Sequence, residues 1–275
     1  MGGFDVFKRI MVAVVCIPLI FVVFFWLPPI WLPIAISGLS MVGVHEVLWS
    51  TGFVNNAKIS TLSICLSGLV PFWVYIGQGM QTALVGTFLY FVLIFLVAIS
   101  SHYTVTLEKM GGSFFFAMLI PYFLSTFIRL QDMPQGQYLM LIPMVAAFGS
   151  DACALFAGMA FGKHKLAPEL SPKKTVEGAI GGMVGAVGFC LIYGLVMKLG
   201  FQLEVRFLRF AVYGVLGSLL AQVGDLSFSY IKRQYGLKDF GNMFPGHGGV
   251  LDRFDSVIFC APLIEILIRW LPALK

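Results

Sequence analysis

Charge is what this sequence has least of. Only 11% of its 275 residues are charged, against about a quarter in an ordinary soluble domain. That is too little to coat a water-facing surface, which excludes a soluble globular protein. Acids are scarcest, thirteen in the whole chain. Cysteine is sparse and odd in number: Cys16, Cys65, Cys153, Cys190 and Cys260 lie in or beside apolar runs, with no CxxC pair. This argues for buried thiols and against disulfides or zinc ligands. Polar segments long enough to build a soluble domain are absent. No small-x-small cleavage site follows the first apolar run; Pro28, Pro29 and Trp31 do, so the run reads as an uncleaved span. Gly2 has no Ser or Thr at position 6, which excludes the myristoylation motif.

What is present is hydrophobic: 59% of residues. A membrane-crossing helix needs about 20 apolar residues. Nine runs fit, at 9–27, 31–49, 60–78, 81–100, 112–130, 137–162, 175–198, 206–233 and 256–272. The expected fold is all-α, a polytopic membrane helical bundle of about nine transmembrane helices. It divides into N-terminal helices (1–130) and a C-terminal region (131–275) that holds the chemistry, in one membrane-embedded unit. The net charge of +5 then reflects cations facing the cytosol, not a nucleic-acid partner. A cytosolic N-terminus puts twelve Lys and Arg on that side and six on the other. The same orientation places the polar loops 163–174 and 234–255 at the cytosolic face of the inner membrane, where nucleotides are.

The acids are not spread evenly. Asp225 sits well inside the eighth apolar run, where an aspartate costs roughly 2.5–3.5 kcal/mol. Helical periodicity puts Asp225, Ser229 and Lys232 on one face. Asp252 and Asp255 share a face if their segment is helical. A structural Asp225–Lys232 pair is one reading. The other is a hard-cation site, since neighbouring carboxylates repel unless a divalent ion such as Mg²⁺ neutralises them. Between Lys232 and Ser256 stand seven charges, one histidine and five glycines. Pro245, Gly246, Gly248 and Gly249 force irregular backbone, which membrane proteins tolerate where it lines a polar cavity. Glycines also let backbone N–H groups approach a phosphate. His247, Lys238, Arg233 and Arg253 surround this turn with donors.

A second polar loop reads SPKKTVEGAIGG, from Ser171 to Gly182. Ser171 is expected to cap a helix with Pro172 at its first position. Lys173 and Lys174 would then sit at an anion-binding helix start, or simply anchor the span on the positive side. Gly178, Gly181, Gly182 and Gly185 offer small-residue spacing for close helix packing. Glu177 is expected to pair with Lys173 or orient it. Glu265 and Arg269, spaced i,i+4, are expected to neutralise each other. His45-Glu46 either reaches the polar site or forms an interfacial pair.

SPKKTVEG, then GD about 50 residues on, then SYIKRQYGLKDFGNMFPGHGGVLDRFD together resemble the bacterial phosphatidate cytidylyltransferase family, also called CDP-diacylglycerol synthase. The residues carrying the likeness are Ser229, Lys232-Arg233, Lys238-Asp239, Pro245 to Gly249, and Asp252-Arg253 with Asp255. Asp151, Ala154, Gly158 and Gly162-Lys163 follow a looser family pattern. That pattern has Tyr where this chain has Leu155 and an upstream Trp that is missing here, so Asp151 is given no role. The resemblance implies transfer of a cytidylyl group from CTP to phosphatidate, giving CDP-diacylglycerol and diphosphate. It also implies dependence on Mg²⁺, with a second metal ion as an option, and a homodimer in the lipid bilayer. On that reading Asp225, Asp252 and Asp255 hold metal, and Asp239 orients the shell. Ser171, Lys173, Lys174, Ser229, Lys232, Arg233, Lys238, Arg253 and the N–H groups of Gly248 and Gly249 hold substrate. His247 either contacts a phosphate or orders the turn. The rival readings are a CTP-dependent enzyme acting on another lipid phosphate and a membrane transporter.

Overall fold

A computed structural model describes residues 18, 20–54, 56–77, 79–101, 104–241 and 248–274. Cys16, most of the expected first span, and Pro245, Gly246 and His247 fall outside those residues; 20–25 are helical. The helices that follow are α1 (Trp31–Ser50), α2 (Ala57–Ile76), α3 (Gly79–Ser100), α4 (Leu107–Leu124), α5 (Thr126–Gln131), α6 (Gly136–Leu139) and α7 (Leu141–Phe161). A short antiparallel hairpin comes next, β1 (Lys165–Ala167) and β2 (Ser171–Thr175), the one named sheet among the described residues. The chain ends in α8 (Val176–Gly200), α9 (Phe207–Gln234) and α10 (Leu251–Trp270).

Seven helices among the described residues are long and apolar enough to cross a membrane: Trp31–Ser50, Ala57–Ile76, Gln81–Ser100, Leu107–Gln131, Gly136–Phe161, Val176–Gly200 and Phe207–Gln234. They stand where seven of the nine runs were expected, and the chain is a multi-pass membrane protein. The run at 256–272 is helical within α10, but that helix carries five charged residues, which sets it apart from the seven. Glu265 and Arg269 do pair along it, 2.9 Å apart.

The chain forms two compact units. The first takes Met1–Arg129 with Leu237–Arg253, and the second Leu130–Gly236 with Phe254–Lys275. In the first, α2 packs on α1, α3 and α4, and α1 also meets α4. In the second, α7, α8 and α9 pack on one another and the hairpin lies against α7 and α8. Lipid tails are as apolar as leucine, so helices in a membrane associate through close packing and polar contacts. Both are visible in the second unit. Cβ atoms built on Gly181, Gly182 and Gly185 would collide with Ala157, Ala154 and Cys153 of α7, so these glycines let the two backbones approach, as their spacing predicts. The Ser150 and Ser218 hydroxyls meet at 2.7 Å, and Gln222 Nε2 donates to Ser218 Oγ and to the Ala179 carbonyl, both at 3.1 Å. That buried relay ties α7, α8 and α9 together. Tyr213, Phe210 and Phe228 of α9 are fully buried.

Two expectations are corrected here. Ser171 does not cap a helix, because Ser171–Thr175 is strand β2. Thr175 caps α8 instead, its hydroxyl accepting from Gly178 N at 3.1 Å. A helix begun at Pro172 would strip the ladder partners from the backbone of β1, and such groups need partners. Cys65 is exposed on α2 and Cys153 half-buried, whereas Cys190 and Cys260 are buried as expected; all four are free thiols. In a lipid-facing helix an exposed apolar side chain carries no penalty, so burial does not follow from hydrophobicity.

The close approaches in the second unit make a prediction. A Cβ at Gly214 would lie 2.6 Å from Val187 Cα, and one at Gly224 2.6 Å from the Asp255 carbonyl. Both neighbours are backbone and cannot swing aside. Gly214→Ala and Gly224→Ala should each destabilise by about 1–3 kcal/mol. Gly188→Ala, with open space around it, should not. Thermal melting in detergent checks all three.

Candidate functional site

In the second unit β2 brings a lysine to the acid of α9. Side chains alternate along a strand. Lys173 is exposed, while Lys174 is half-buried and its Nζ pairs with Asp225 Oδ2. Ser229, one turn on, donates to Asp225 Oδ1 at 3.3 Å. Asp225 is thus compensated by Lys174, a residue 51 positions earlier, and not simply by Lys232 on its own helix. Lys232 is buried at the end of α9 and acts electrostatically on Asp255, itself buried in α10. Asp255 Oδ1 accepts from Ser256 N at 2.8 Å. Asp151, exposed on α7, lies within electrostatic reach of Asp225, Asp255 and Lys174.

The second unit therefore gathers three carboxylates and two lysines from α7, β2, α9 and α10. Asp225, Asp255, Ser229, Lys232 and Lys174 were anticipated. Asp151 was not. Its signal was available, since it is an acid inside an apolar run, the argument that singled out Asp225. The departures of neighbouring residues from the family pattern had weighed against it.

Glu177 does not pair with Lys173. Its Oε2 accepts from Lys163 N at 3.1 Å and His164 N at 3.2 Å, and its Oε1 meets His164 Nδ1 at 2.6 Å. It fastens the start of the hairpin to the first turn of α8. Arg233 Nε donates to the Leu170 carbonyl at 3.1 Å, fastening the hairpin tip to the end of α9. The strand that presents Lys174 is thus held at both ends, while Lys173 points away and Ser171 contributes as part of the strand.

In the first unit two carboxylates hold the backbone at Phe240 and at residues 249–251. Asp252 Oδ2 accepts from Phe240 N at 2.8 Å and from Gly249 N at 2.9 Å. Glu46 Oε1 accepts from Val250 N and Oε2 from Leu251 N, each at 2.9 Å. The N–H of Gly249, expected to meet a phosphate, is donated to Asp252. Gly248 has φ +80°, a region other residues rarely adopt, and a Cβ there would sit 2.9 Å from Asp252 Oδ2. Lys238, Asp239 and Arg253 are exposed. Glu46, one of two residues left open at the end of the second run, proves central to this loop. Its distant sequence position concealed it.

The donors are carboxylate and hydroxyl oxygens, the kind a hard divalent cation takes. Among the described residues no group of three or more His, Cys, Asp or Glu is arranged to hold a metal by itself. Mg²⁺ is ordinarily bound through one or two carboxylates, with substrate phosphates and water completing its shell. Asp225 and Asp255 suit that smaller requirement.

Comparison with known proteins bears on this arrangement. A family model described as the cytidylyltransferase family matches residues 7–271. The chain is 38% identical over 166 residues to a phosphatidate cytidylyltransferase of Bacillus subtilis, covering 60% of each chain. It is 37% identical over 188 residues to one from Rickettsia bellii, covering 64% of this chain and 78% of that one. It is 34% identical over 164 residues to one from Thermotoga maritima, covering 58% of this chain and 60% of that one. The matched stretches thus span between about half and four fifths of the relatives' length.

The Lys174–Asp225 pair gives the prediction for this site. Each single variant, Lys174→Met or Asp225→Asn, leaves one partner uncompensated among apolar helices. The double variant removes both charges. Thermal melting of the four proteins should show a coupling of about 1–3 kcal/mol. Additive effects would mean that the two groups do not stabilise each other.

Proposed function

The chain belongs to the cytidylyltransferase family, and from that premise we propose that it transfers a cytidylyl group from CTP to phosphatidate, yielding CDP-diacylglycerol and diphosphate. The observation that carries the reading is the pairing of Lys174 of the hairpin with Asp225 of the apolar helix α9, with Asp255, Asp151 and Lys232 around it. Ionisable groups gathered on helices apolar enough to cross a membrane are costly, and function is their usual reason. Both proposed substrates are polyanions where they react.

The bond changes are simple. An oxygen of the lipid phosphate attacks the α-phosphorus of CTP and forms a new P–O bond. The bond from that phosphorus to the oxygen bridging to the β-phosphate breaks, and diphosphate leaves with the electron pair. The nucleophile is already anionic, so no activated serine or cysteine is required. The protein must hold two repelling anions in line and offset their charge. Lys174 and Lys232 supply fixed positive charge, and Ser229 orients the Asp225 carboxylate. Lys173, Arg233, Lys238 and Arg253 add cations for the triphosphate and the lipid headgroup. Asp225 and Asp255 would hold Mg²⁺, which when bound neutralises phosphate charge. Asp252 acts through the backbone it holds, accepting hydrogen bonds from Phe240 N and Gly249 N. The reaction runs at the cytosolic face of the inner membrane, a placement supported by the twelve-to-six cation bias, and the family resemblance supports a homodimer.

Purified protein with labelled CTP, phosphatidate and Mg²⁺ should form a labelled liponucleotide. Asp225→Asn and Asp255→Asn should each lower turnover at least about a hundredfold while still purifying. Transfer to some other lipid phosphate, with none to phosphatidate, would replace the acceptor. No nucleotide transfer at all would remove the reading. Orientation has its own test. His164, with a side chain 79% exposed, replaced by Cys in an otherwise cysteine-free chain, should react with an impermeant maleimide only when the cytosolic side is open. Labelling from outside intact cells would reverse the topology.

A further inference from the structure

We propose that Glu46 is a positioning residue for the transfer reaction, holding the turn at residues 248–251 and Asp252 in their working geometry. The inference rests on the cytidylyl-transfer reading above and adds to it a residue from the opposite end of the sequence.

Glu46 lies in α1, a helix apolar enough to cross the membrane, and is 7% exposed. Burial of a carboxylate is costly unless it is hydrogen-bonded. Its two oxygens each take one backbone N–H, from Val250 and Leu251, at the start of α10. These donors stand at a helix start, where orphan N–H groups and the helix dipole favour a negative charge. Gly249 N, the residue before, donates to Asp252. Three consecutive N–H groups, 249 to 251, are therefore divided between Asp252 and Glu46. Neither carboxylate can shift without disturbing the register of the other.

Two glycines admit the Glu46 side chain. A Cβ on Gly241 or Gly249 would come within 2.7 Å of Glu46 Oε1. The contact gives a packing reason for glycine at 249 besides any approach to phosphate. Glu46 makes no demand on substrate in this account. Its effect passes through the turn to Asp252, one residue beyond Leu251.

The side-chain chemistry separates the variants. Gln keeps the length but turns an –NH₂ toward a backbone donor, so one of the two hydrogen bonds is lost. Asp keeps the charge but withdraws both oxygens by about 1.5 Å. Gly249→Ala reaches the same defect from the other side, by pushing on the carboxylate. Trypsin reports on the turn without reference to activity, because Lys238 and Arg253 bracket it and Lys58 offers a reference site elsewhere in the first unit. In Glu46→Gln and in Gly249→Ala, cleavage after Lys238 and Arg253 should accelerate about tenfold relative to Lys58, matching the loss of one charge-assisted hydrogen bond. Turnover per folded molecule should fall about tenfold. The KM for phosphatidate should stay within about twofold.

Wild-type cleavage rates in both variants would overturn the clamp. Faster cleavage with unchanged turnover per folded molecule, or turnover that falls together with a weakened KM for phosphatidate, would leave Glu46 a structural cap and overturn its role in the reaction. A wild-type chain that transfers no cytidylyl group would overturn the functional reading and this role together, while the trypsin comparison would still judge the clamp.

Discussion

A carboxylate inside an apolar helix must be compensated, and much of this structure follows from that requirement. Asp225 carries an insertion cost of roughly 2.5–3.5 kcal/mol. Lys174 offsets it, and that lysine is delivered by a segment that leaves the helical regime. The β1–β2 hairpin is that segment. Glu177 and Arg233 hold its two ends, so the charge at Lys174 is fixed in place instead of carried on a loose loop. The same requirement governs Glu46 in the first unit, where the compensating groups are backbone N–H donors at a helix start.

Fixed charge needs a rigid frame, and in lipid that frame comes from packing. Gly181, Gly182 and Gly185 let α8 approach α7, and the Ser150–Ser218–Gln222 relay adds polar contacts where water cannot compete. Asp151 follows Ser150 directly, and Asp225 stands three residues after Gln222. The relay and the carboxylates therefore sit on neighbouring positions of the same helices. A frame of this kind lets anions be held without reorganisation at the moment of reaction, which is where transfer chemistry of this type gains most of its rate.

The helices were legible because a transmembrane segment writes its length and composition directly into sequence. Gly181, Gly182 and Gly185 were legible through their spacing, and Glu265–Arg269 through the i,i+4 rule. The hairpin was not. Ser-Pro reads locally as a helix start, and only the non-local partner β1 makes Ser171–Thr175 extended. Asp225, Ser229 and Lys232 were found by helical periodicity, but that argument sees one helix at a time. It offered Lys232 as the partner of Asp225, whereas Lys174 arrives from another element. Asp151 and Glu46 were visible as acids in apolar runs; what they touch depends on tertiary contacts that no local pattern encodes.

The central claim is that the acids of α9 and α10 in the second unit serve a metal-bound nucleotide. Equilibrium binding of labelled CTP to purified protein tests it most directly, with and without Mg²⁺, for the wild type and for Asp225→Asn. The account predicts tight binding by the wild type only when Mg²⁺ is present, and a loss of at least about tenfold in affinity in Asp225→Asn, the cost of one charge-assisted contact. Equal CTP affinity in the two proteins, or binding indifferent to Mg²⁺, would contradict it.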